Sequence, residues 1–87
     1  MPIPTNIQRE HIFQAIIKIM QEGIPEDRFA TKYLMYYQGS AYPCKLLISW
    51  ANIFANGTEL DPNPNNFQSI NAVNYLRNLG FSIAEVS

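Results

Sequence analysis

The sequence predicts an α+β domain in which three helices pack on a small, mostly antiparallel sheet, in the order α-β-β-α-α-β. Three features carry that prediction. Apolar residues recur every three or four positions in three separate stretches. A short aromatic-rich run lies between the first two of them. Each of the four glycines falls where a stretch ends or the chain must turn.

The first helix is expected from about Asn6. Thr5-Asn6-Ile7-Gln8 has the spacing of a capping box, in which the hydroxyl and the amide three residues on each satisfy a free backbone group. Ile12, Phe13, Ile16, Ile19 and Met20 form its inward stripe, Glu10, Gln14, Lys18 and Gln21 its outer one, and Gly23 a left-handed end. After the loop Ile24 to Arg28, the run Thr31 to Tyr37 reads as a strand, because it is rich in aromatics and too short for a helix. Gln38-Gly39 turns it back into a short arm, Ser40-Ala41-Tyr42. Pro43 then suits the first turn of the next helix, since it has no amide to offer a ladder.

The second helix has the clearest periodicity. Leu46, Leu47, Trp50, Ile53 and Phe54 make one apolar stripe, and Lys45, Ser49, Asn52 and Asn56 a polar one expected to face solvent, with Gly57 at the end. Thr58 to Asn66, with Pro62 and Pro64, is a loop. Asn66 is the expected cap of a third helix over 67–79, with Ile70, Val73, Leu76 and Leu79 inward, followed by Gly80 and the strand Phe81-Ser82-Ile83-Ala84.

A chain of 87 residues holds one core, so 1–87 is read as a single domain with an ordered part over 6–85 and a ragged start and end. One cysteine, Cys44, and one histidine, His11, exclude an internal disulfide and an ordinary four-ligand structural metal site. No metal or cofactor is expected. With no basic-then-apolar leader and no apolar run of membrane-spanning length, a cytoplasmic protein away from membranes is expected.

Catalysis is not expected. His11 lies in the predicted first helix, far along the chain from Cys44 and the serines. The carboxylates Glu22, Glu26 and Asp27 read as a solvated loop. Cys44 near a helix start reads as a small apolar residue of mild reactivity, and Trp50 as core. Lys45 stands out, because the dipole of a helix's first turn disfavours a cation. With six Lys and Arg against seven Asp and Glu, the net charge of −1 leaves room only for a local basic patch. The segment from Arg28 to Lys45 holds three of the six cations and no acid. A DNA-binding reading follows: Arg28, Lys32 and Lys45 on phosphates, Ser49, Asn52 and Tyr36 on bases or sugars, and Tyr42 beside them at the strand-to-helix junction. Tyr33 and Tyr37 alternate to the core side and leave Tyr36 exposed. The alternative is a module docking onto a nuclease or helicase protein through an apolar patch around Leu34, Tyr36 and Ile48.

The order of features resembles the small N-terminal domain of modification-dependent HNH restriction endonucleases, enzymes that cut methylated or phosphorothioated DNA. The residues concerned are Glu22-Gly23-Ile24-Pro25, Arg28, Thr31-Lys32-Tyr33, Gly39, Tyr42-Pro43-Cys44-Lys45, the helix end from Ala51 to Gly57, and Leu76-Arg77-Asn78-Leu79-Gly80-Phe81. The resemblance spans about residues 7–85. Where the family pattern has Tyr-Pro-Pro-Lys, this chain has Cys44 in place of the second proline. Where it has Phe-Ser-Gly-Gly, this chain has Phe67-Gln68-Ser69-Ile70. No HNH motif is present, since that chemistry needs several histidines. The resemblance implies the accessory or targeting part of a restriction or phage-defence system, free-standing or cut from a longer enzyme, with DNA, including a modified duplex, as partner.

Overall fold

The computed structural model describes residues 3–28 and 32–85. Three helices and a three-stranded antiparallel sheet follow in the expected order: α1 (Arg9–Glu22), a single 3-10 turn (Glu26–Arg28), β1 (Tyr33–Tyr37), β2 (Ser40–Pro43), α2 (Cys44–Asn56), α3 (Ser69–Asn78) and β3 (Ser82–Glu85). β1 is central in the order β2-β1-β3. Met35 sits opposite Tyr42 on one side and Ile83 on the other. The β1–β2 hairpin closes through Gln38 and Gly39, both at positive φ (49° and 81°), so the two-residue turn matches the right-handed twist of its strands. The expected strand start at Thr31 lies outside the described residues.

Both outer helices begin later than their sequences suggest, and by the same device. Thr5 does not cap α1; Gln8 stands at the cap, and its amide donates to His11 Nδ1 at 2.8 Å. Asn66 does not cap α3; Gln68 does, and its amide donates to Asn71 Oδ1 at 2.7 Å. A side chain at the third helical position thus reaches back to satisfy the cap residue's own N–H. The segments before the two helices enter the core: Ile3, Ile7 and Phe67 are buried. Tyr75 Oη donates to the Ile7 carbonyl at 2.7 Å and pins this N-terminal segment against α3.

α2 is the centre of the molecule, packed on α1, α3 and the sheet. Phe13, Tyr37 and Phe81 stack edge-on or tilted at 5.3–6.3 Å between centroids and join α1, β1 and the turn before β3. Above them the Arg9 guanidinium lies 4.6 Å over Phe81 and donates to the Leu79 carbonyl, holding the start of α1 to the end of α3.

The helix phases need correction at their ends. Met20 is 73% exposed, Ile17 and Phe54 also lie on the surface, and Ile70 is 44% exposed in the first turn of α3. Ala15 and Ala72 are buried instead, because close helix packing needs small side chains at the contact. Ile48 is fully buried and so cannot belong to the exposed patch expected around Leu34 and Tyr36. Leu34 is half-buried and Tyr36 exposed, with Tyr33 and Tyr37 on the core side as their alternation predicts.

Candidate functional site

A cleft of about 350 Å³ opens at the start of α2, where the 3-10 turn, the beginning of β1, the end of β2, the loop before α3 and the first residue of α3 meet. Its charged lining is Asp27, Arg28, Lys32 and Lys45. Its apolar wall is made by Tyr33, Pro43, Leu46 and Pro62. Three cations scattered over eighteen positions of sequence therefore surround one space, because the hairpin folds the chain back on itself between Lys32 and Lys45.

Each cation is held differently. Arg28 Nη1 pairs with Glu59 Oε2 at 2.9 Å, while its Nη2 is buried with no partner among the described residues. A guanidinium has five donors, and leaving one desolvated and unused is costly. Lys45 Nζ donates to the Pro62 carbonyl at 2.6 Å and lies 4.7 Å over the Phe67 ring. Burial pulls the Lys45 pKa below its usual range; the Arg28 charge adds to the fall, and Asp61 opposes it. Lys45 and Arg28 line the same cleft, so an anion between them would offset the repulsion that Lys45 meets there. Lys32 Nζ stands 3.8 Å from Glu85 and 5.5 Å over Tyr33, well exposed.

The helix start adds to this. Pro43 occupies the cap position of α2 and no side chain hydrogen-bonds to the first turn. The amides of a helix start carry the positive end of its dipole, so this end of the cleft favours negative charge in the same sense as the lysines. Burial pushes the Cys44 thiol up to about 12, against a smaller lowering by Arg77, so the mild reactivity expected from its place at a helix start is overturned by desolvation.

The remaining candidates do not join the cleft. Ser49 is fully buried and Asn52 is 5% exposed, a correction to the polar face expected of α2. Asn52 Nδ2 donates to the Thr58 carbonyl, Asn56 Nδ2 donates to Asn52 Oδ1, and Asn56 exchanges hydrogen bonds with Asn6. The polar stripe thus stitches the N-terminal segment and the following loop to the helix end. Tyr42 is buried on the core side of β2, and Tyr36 is exposed on the opposite face of the sheet from Met35. Buried side chains at 42, 49 and 52 have no path to a phosphate or base edge in this conformation. The sequence missed Asp27 and Pro62 as lining residues and Glu59 as the partner of Arg28. No local pattern announces them, since they come from a single 3-10 turn and from the loop between α2 and α3. Among the described residues no three His, Cys, Asp or Glu side chains group as metal ligands, and no helix is long and apolar enough to cross a membrane.

Fold and cleft together define a small α+β module whose charged site lies at the foot of its central helix, and the comparisons relate it to modification-dependent restriction enzymes. The solved structure of the Type IV phosphorothioation-dependent restriction endonuclease ScoMcrA matches it with a TM-score of 0.67 and 28% identity, over 95% of this chain and 14% of that one. The chain thus spans about one seventh of that enzyme's length. No protein-family model and no curated protein matches it.

Proposed function

We propose that this chain is a non-catalytic DNA-binding module of a modification-dependent restriction or phage-defence system, which engages the DNA backbone with Arg28, Lys32 and Lys45. The observation that carries the reading is the convergence of those three cations on one cleft. Phosphate contacts fix a protein on DNA and carry no sequence information by themselves. The likeness to a phosphorothioation-dependent enzyme supports the setting and suggests which modified duplex to try first. On this reading strand scission belongs to another part of the system.

The test is fluorescence anisotropy of short labelled duplexes, unmodified, methylated or carrying a phosphorothioate linkage, at two salt concentrations. Salt-sensitive binding that is weakened by Lys45→Ala supports the module. Absence of binding at low salt refutes it and turns attention to a second reading, a docking module. That reading is favoured by Ile17 and Phe54, exposed apolar side chains of α1 and α2 that share one shallow surface, and it predicts association indifferent to salt.

A further inference from the structure

We infer that the cleft takes one whole nucleotide of a DNA strand, its phosphate among Arg28, Lys32 and Lys45 and its base against Tyr33 with an amino edge toward Asp27. The inference rests on the proposal that this cleft is where DNA is met, and it names what enters. A site for a lone backbone phosphate needs only a shallow cationic surface, whereas about 350 Å³ falls within the size range of pockets that enclose a small organic ligand. The lining is more polar than apolar, and Tyr33, Pro43, Leu46 and Pro62 supply an apolar wall beside its charged groups, as a ligand with both an anion and a ring requires. Tyr33 is the aromatic ring of the lining, and an aromatic wall beside a cationic groove is how unpaired bases are commonly held.

Asp27 is the residue that separates the two ideas. A carboxylate beside three cations weakens a site built for phosphate alone, and Asp27 is exposed at the cleft with no ion pair or hydrogen bond among the described residues, so its oxygens are open to a ligand's donor. It fits a ligand that carries a donor as well as an anion. A cytosine offers its exocyclic amine to such a carboxylate, while thymine presents a carbonyl oxygen at the corresponding position and is repelled.

The experiment is an NMR titration of the intact chain with dCMP, dTMP, deoxycytidine and inorganic phosphate at low salt, reading amide shifts over 27–28, 32–33 and 44–46. Base stacking against an aromatic ring should make dCMP about tenfold tighter than inorganic phosphate. Asp27→Ala should tighten inorganic phosphate and abolish the preference for dCMP over dTMP, two changes that a phosphate-only site would not show together. The far-ultraviolet circular dichroism spectrum confirms that the variant is folded. Inorganic phosphate binding as tightly as dCMP, or Asp27→Ala strengthening all three anionic ligands equally, overturns the inference. Lys45-dependent duplex binding without any dCMP shift also overturns it and leaves the DNA-binding module standing, whereas loss of both removes the two together.

Discussion

Lys45 concentrates the competing forces of the site in one side chain. It stands at the positive end of α2, is partly desolvated and faces a second cation, yet donates to the Pro62 carbonyl. Lys45→Ala removes both the hydrogen bond and the repulsion, so its thermal stability should change by less than about 1 kcal/mol while duplex affinity falls about tenfold or more, as for loss of a charge-assisted contact. The pH dependence has a definite sign. The folded chain holds the Lys45 proton less tightly than the unfolded chain, so between the lowered value and the ordinary 10.5 the unfolded state binds more protons and stability rises with pH through that window. Anion affinity moves the other way, falling as Lys45 loses its charge at a pH below that of an ordinary lysine, which titrations at a series of alkaline pH values would show. Ser49 gives a contrasting prediction. Its buried Oγ has no partner among the described residues, so Ser49→Ala should leave the melting temperature unchanged or raise it by a few degrees, with no loss of duplex affinity. Cys44, with its thiol pushed up to about 12, should resist alkylation at pH 8 until the protein is unfolded, as mass spectrometry would show.

Among the elements, α2 shows why a stripe drawn on a helical wheel can be right in period and wrong in extent. Eight of its thirteen residues are buried, including Ile48, Ser49, Ala51 and Asn52, which lie off the apolar stripe. Its sequence contains one charged residue, Lys45, and a helix so poor in charge is covered on nearly all sides over its first nine residues, with Phe54 and Asn56 exposed at its end. The junction between α3 and β3 depends on Gly80, whose φ of 95° is strained for any other L-residue. A Cβ there would also come within 2.9 Å of Arg9 Nη1, the group that ties α1 to this turn. Gly80→Ala should therefore cost about 1–2 kcal/mol, and for a domain of this size each kcal/mol lowers the melting temperature by about 4–8 °C, measurable by calorimetry. Tyr75→Phe leaves the Ile7 carbonyl without its partner and should cost about 1 kcal/mol in denaturant unfolding.

Across the whole molecule, a net charge of −1 gives little overall attraction to a polyanion, so the proposed DNA binding has to come from the local cations of the cleft. If Arg28, Lys32 and Lys45 each neutralise a phosphate, the logarithm of affinity should fall with the logarithm of salt with a slope of about −3. A slope near zero with retained binding would assign the contact to apolar surface instead. The sequence by itself determined the order of elements, the antiparallel hairpin closed at Gly39, the glycine punctuation, and the exposure of Tyr36 against its neighbours. These follow from period and backbone geometry, which act over a few residues. It also singled out Arg28, Lys32 and Lys45, as a stretch of chain with cations and no acid. The tertiary structure decided that Ser49, Asn52 and Tyr42 are buried, that His11 and Asn71 close the helix starts, that Asp27 and Pro62 complete the cleft, and that Glu59 pairs with Arg28. Those outcomes depend on which surfaces meet across long stretches of chain, and contacts of that kind leave no periodic trace in the residues that make them.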